Sequence, residues 1–122
     1  MSTWSATTHL PTQAIAQASR DGAPNGFNGV SRKLGRFAWG GVASQDGGVF
    51  DTFGAASAWS AQVEYRPPVG DGFGACAIQV IDHGSHREVT IDCTHSLGQK
   101  GLAKKLLKGV VGALQAADPA IR

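Results

Sequence analysis

The chain has 122 residues and a mass of 12.6 kDa, one domain's worth, and its 42% hydrophobic and 16% charged content excludes an intrinsically disordered chain. Seventeen glycines and 7% aromatics point to many turns and a modest core rather than a helical bundle. The net charge of +2 is polarised: residues 1–45 carry Arg20, Arg32, Lys33 and Arg36 against Asp21, residues 46–92 set seven carboxylates against Arg66 and Arg87, and residues 93–122 carry four lysines and Arg122 against Asp118. Nucleic-acid affinity therefore requires the fold to separate the acidic middle from its basic flanks.

Trp4–Leu10 alternates Trp4, Ala6, Thr8 and Leu10 against Ser5, Thr7 and His9, the period of a half-buried first strand, which Pro11 stops. Thr12 reads as the N-cap of a short helix over Gln13–Ser19. Asp21–Gly29 (DGAPNGFNG) reads as a loop. Arg36–Ala43 and Gly48–Phe53 read as a hairpin around Gln45-Asp46-Gly47, with Gly40 and Gly41 marking a bulge, a bend or a close backbone approach. Ala61–Arg66 alternates cleanly and ends at Pro67-Pro68.

The pair Ala75–Asp82 and Arg87–Thr94 admits a two-residue loop at His83-Gly84 or Gly84-Ser85, which misaligns or mixes the apolar pairs, and a four-residue loop, which aligns them. A four-residue loop His83-Gly84-Ser85-His86 sets Asp82 opposite Arg87, Val80 opposite Val89, Ile78 opposite Ile91 and Cys76 opposite Cys93, so every apolar pair shares one face. Ser96-Leu97-Gly98-Gln99 has capping-box spacing, placing a final helix over Leu97–Ala116. Leu102, Leu106, Leu107, Val110, Val111 and Leu114 fill one half of its wheel, and Lys104, Lys105, Lys108 and Gln115 the other; Gly101, Gly109 and Gly112 lie towards the polar half. The elements make an α+β domain, 1–122: a curved antiparallel sheet of about five to six strands, a short N-terminal helix and a long C-terminal helix covering the sheet.

Residues that invite chemistry also have plainer readings. Cys93, Asp92 and His95 lie at a strand end before a helix start and near Lys100, where a thiolate could be stabilised, but Cys93 alternates with Ile91 and Val89, as a buried inert thiol does. A Cys76–Cys93 disulfide conflicts with a reducing compartment. His83-x-x-His86 lies too far from His95 along the strand to share an ion and reads as an exposed turn, so no metal is expected. Gly98-Gln99-Lys100-Gly101 lacks phosphate-loop spacing, and no cofactor is expected. Phe37, Trp39 and Trp59 beside Lys33 and Arg36 have the makings of a base-stacking platform, yet a chain with so few aromatics needs them for packing. Neither a secretory n-region and h-region in MSTWSATTHL nor an apolar run of about 18 residues is present, so the expectation is a cytoplasmic protein without a membrane span.

In element order, Trp4–Leu10, Gln13–Ser19 and Leu97–Ala116, the chain resembles the helix-grip (START-like) superfamily. The resemblance implies an apolar ligand cavity between the last helix and the sheet; the chain departs from the pattern in being short and glycine-rich. The first functional expectation is thus a non-enzymatic binding module whose small apolar or amphipathic ligand touches Val63, Tyr65, Ile78, Ile91, Leu102, Leu106 and Val110. The alternative is an interaction or assembly protein that applies Lys100, Lys104, Lys105 and Lys108 to an acidic partner: anionic lipid, nucleic acid or protein. An enzyme built on Cys93 and His95 ranks third.

Overall fold

The computed structural model describes residues 3–44 and 58–121. Its elements in chain order are β1 (Thr3–Thr8), α1 (Thr12–Gly22), a 3-10 turn (Ala23–Gly26), α2 (Gly29–Leu34), β2 (Arg36–Ser44), β3 (Ala58–Arg66), β4 (Gly74–Asp82), β5 (Arg87–His95) and α3 (Lys100–Ala117). The five described strands form one antiparallel sheet in the order β1-β5-β4-β3-β2, with the helices on one face.

The β4–β5 pairing has the register that alternation selects: Asp82↔Arg87, Val80↔Val89, Ile78↔Ile91 and Cys76↔Cys93. The loop His83–His86 closes with His83 N–H donating to the His86 carbonyl at 2.9 Å, and Gly84 takes φ +87°, a left-handed conformation that favours glycine. The Gly40–Gly41 irregularity is a register shift in the β2–β3 pairing between Gly40 and Ala43. The expected strand Gly48–Phe53 and its turn Gln45-Asp46-Gly47 lie outside the described residues.

The pattern misplaces several boundaries, each for an identifiable reason. β1 stops at Thr8 rather than Leu10, because the Thr8 hydroxyl turns the chain by accepting from Leu10 N–H (3.1 Å) while donating to Asp118 Oδ2 (2.6 Å). Thr12 is the first helical residue and Pro11 takes the cap position, with no side-chain cap bond. The stretch that reads as a loop over Asp21–Gly29 completes α1, makes the 3-10 turn and opens α2, a six-residue helix too short to show a period and with none of its residues buried. α3 starts at Lys100 rather than Leu97; Ser96 Oγ accepts from Phe73 N–H (2.9 Å) and is committed to the neighbouring turn instead of capping the helix.

α3 lies across β3, β4 and β5 and against α1 and the 3-10 turn. Leu106, Val110 and Leu114 are fully buried; Leu102, Leu107 and Val111 are half-buried at the margins of the stripe. Gly109 is buried, contrary to its place on the wheel, because a second surface, α1 with the 3-10 turn, covers that side of α3. A Cβ at Gly109 would lie 2.5 Å from the Gly22 carbonyl oxygen, 2.6 Å from that of Ala23 and 2.8 Å from the Gly26 nitrogen. The helices approach backbone to backbone, and the small residues on α1, Ala16, Ser19 and Gly22, leave room for it.

Candidate functional site

The residues expected to hold an apolar ligand come together on the inner face of the sheet and the facing side of α3. Val63, Tyr65, Ile78, Ile91, Leu106 and Val110 are all at most 2% exposed and belong to one core cluster, against which the half-buried Leu102 packs. Part of that layer is closed by a residue from the stretch that reads as a loop: the Phe27 ring stacks on Tyr65 with centroids 4.0 Å apart, and Phe37 meets both rings. The Tyr65 hydroxyl donates to the Ser31 carbonyl at 2.8 Å, which ties α2 to the sheet. Among the described residues one cleft is lined by Ala38, Trp39, Gly40, Gln62 and Glu64 and another by Gly29, Val30, Arg32 and Lys33.

The geometry around Cys93 does not make a nucleophile. Cys76 and Cys93 are free thiols, with their sulfurs 3.8 Å apart, and each lies about the same distance from the Ala103 carbonyl, 4.0 and 3.9 Å respectively. Burial pushes both thiols above the ordinary cysteine range, and for Cys76 the neighbouring Cys93 adds to the effect. His95 is exposed and its Nδ1 lies 2.9 Å from the Ser96 carbonyl.

His83 and His86 stack on each other with centroids 4.8 Å apart; His83 pairs with Glu88 at 3.0 Å and His86 with the Ser85 hydroxyl at 2.9 Å. Among the described residues no group of three metal-ligating side chains converges. At the Gly98–Gly101 turn, the Gln99 and Leu102 N–H groups donate to the Ser96 and Gln99 carbonyls. Phe37 and Trp39 are half-buried against the core, and the Trp59 side chain lies outside those described.

The helical layer has a different character. Residues 22–44 contain Arg32, Lys33 and Arg36 and no carboxylate; residues 93–117 contain Lys100, Lys104, Lys105 and Lys108 and no carboxylate. All seven cations are exposed. Packing of the 3-10 turn on α3 joins the two stretches: Lys105 Nζ sits 5.9 Å from the centroid of the Phe27 ring, and Arg32 reaches back to Asn25 Oδ1 at 3.1 Å. The ion pairs among the described residues, Arg66–Glu64, His83–Glu88 and Arg87–Asp82, belong to the sheet and its hairpin and involve none of the seven. The lysines of α3 are legible from the sequence as one solvent face; that the segment leading to Arg32 and Lys33 meets the same helix is decided by the packing of the 3-10 turn. The one sequence signal for it is the shared lack of acids.

No protein-family model matches the chain, and no curated protein matches it. No described helix is long and apolar enough to cross a membrane.

Proposed function

We propose that the protein is a non-enzymatic interaction module that presents its helical layer, Lys100, Lys104, Lys105 and Lys108 together with Arg32 and Lys33, to an acidic partner. The observation that carries the reading is that Lys100, Lys104, Lys105 and Lys108 are all exposed on a helix whose stretch 93–117 holds no carboxylate, and that the 3-10 turn leading to Arg32 and Lys33 packs on that helix, with Asp21 the carboxylate that flanks the turn. An anionic surface gains about 1 kcal/mol per basic residue it meets, and loses that gain as salt shortens the Debye length to about 10 Å and below.

The test is the anisotropy of a fluorescein-labelled polyglutamate. Binding at low salt, weakening as salt rises, is expected, and Lys104→Glu lowers affinity roughly tenfold by reversing one of the contacts. A double variant on the outer face of the sheet, Gln62→Glu with Gln79→Glu, changes the net charge equally and leaves affinity within about twofold. Absence of binding at low salt, or equal losses in the two variants, overturns the reading.

A second reading is the apolar-ligand module implied by the helix-grip resemblance. It is supported by the element order and by α3 lying across β3, β4 and β5. Its test is native mass spectrometry of the purified protein: a retained small molecule supports it, and a bare chain after incubation with fatty acids and sterols removes it.

A further inference from the structure

Among the described residues five large hydrophobic side chains are exposed, and four of them, Val30, Leu34, Val69 and Leu97, gather at one end of the molecule; the fifth, Ile81, is at the other end of the sheet. The gathering follows from the topology. β2 begins where β3 ends, with Arg36 paired to Arg66, and the chain then runs through Val69 to β4. That turn is joined to the segment before α3, because Phe73 N–H donates to Ser96 Oγ and Ser96 N–H to the Phe73 carbonyl (3.1 Å), which puts Leu97 beside it. α2 is held over the same end by the bond from Tyr65 to Ser31, and exposes Val30 (65%) and Leu34 (62%) one turn apart.

The charge at this end is also one-sided. In the sequence of α2, Arg32 and Lys33 fall between the two aliphatic residues, with Arg32 on the far side of the helix and bonded to Asn25; Arg36 follows them and Lys100 opens α3. The carboxylates nearby are Glu64, which is paired with Arg66, and the exposed Asp71.

We infer that this end of the molecule docks on an anionic lipid bilayer, with Val30, Leu34, Val69 and Leu97 entering the headgroup boundary and Lys33, Arg36 and Lys100 lying over the lipid phosphates. The proposal rests on the cationic-face reading and names its partner. Single aliphatic tips on a short helix and two turns are poorly matched to a rigid protein surface, which rewards close shape complementarity, but a fluid interface closes around each tip separately. Single-stranded nucleic acid uses exposed aromatic platforms, whereas Phe37 and Trp39 are half-buried against the core and the half-buried Phe73 ring is covered by the Arg66 guanidinium, 5.5 Å from its centroid.

The experiment is co-sedimentation of the whole chain with phosphatidylcholine vesicles, with and without about one-third phosphatidylglycerol. Binding to the anionic vesicles alone is expected, and the pair Leu34→Ser with Leu97→Ser lowers the partition coefficient by roughly tenfold or more through lost apolar insertion. The same pair leaves polyglutamate binding within about twofold, because it removes no charge, and circular dichroism confirms that it folds. Polyglutamate binding without vesicle binding, or vesicle binding indifferent to the serine pair, overturns the membrane assignment and leaves the cationic face standing. Failure to bind either polyanion removes both.

Discussion

Two glycines three residues apart on α3 should respond to the same substitution with opposite signs. Gly112 is exposed with nothing within 4 Å of an added methyl group, so Gly112→Ala collects only the propensity gain of about 0.5–1 kcal/mol. At Gly109 the methyl meets three backbone atoms, two carbonyl oxygens and a nitrogen, at 2.5–2.8 Å, well inside ordinary van der Waals contact. Backbone cannot rotate aside as a side-chain tip does, so α3 must move away from α1 and the 3-10 turn. Overpacking of that kind costs typically 1–3 kcal/mol, more than the propensity gain offsets. Urea unfolding followed at 222 nm, with thermal melts in parallel, measures both variants; at roughly 3–6 °C per kcal/mol for a chain of this size the two melting temperatures move to opposite sides of the wild type. A Gly109→Ala protein as stable as Gly112→Ala would refute the backbone-to-backbone contact, and with it the close docking of α3 on α1.

Other substitutions probe the rest of the architecture. Leu106→Ala, at a fully buried position between α3 and the sheet, should lose about 2–5 kcal/mol in urea unfolding; a loss under about 1 kcal/mol would mean that α3 does not cover the sheet there. Both cysteines should resist iodoacetamide at neutral pH in the folded protein and react in urea, since burial holds their thiols protonated; stoichiometric labelling of the native chain would contradict the packing. The Thr8 hydroxyl, followed by Ala120 N–H, holds the Asp118 carboxyl below the ordinary aspartate range by bonding its charged form. A lowered folded-state value gives stability that is present above the ordinary aspartate range and lost as pH falls through the lowered value. Thr8→Val should therefore differ most from wild type at neutral pH and converge towards it in acid, leaving only the cost of the unpaired Leu10 N–H; a gap independent of pH would rule out the linkage.

What the sequence determined by itself is what local periodicity can carry. The β4–β5 register is legible because a shift by one residue would turn Val80, Ile78 and Cys76 to the solvent face, and the stripe Leu106, Val110 and Leu114 because a helix returns to the same side every three to four residues. The candidate pocket residues are legible as a group for the same reason, as is the lysine face of α3. Only the tertiary structure decided the pairing of β1 with β5, the burial of Gly109, the stacking of Phe27 on Tyr65 and the position of α2. Each of these joins segments far apart in the chain, and a period read within one segment states which side faces inward without stating what it will meet. The cationic end draws on both kinds of information: the β4–β5 pairing, which ends at Gly74↔His95 and is continued by the bonds between Phe73 and Ser96, brings the turns of Val69 and Leu97 side by side, whereas α2 with Val30 and Leu34 joins that end only through the long-range bond from Tyr65 to Ser31.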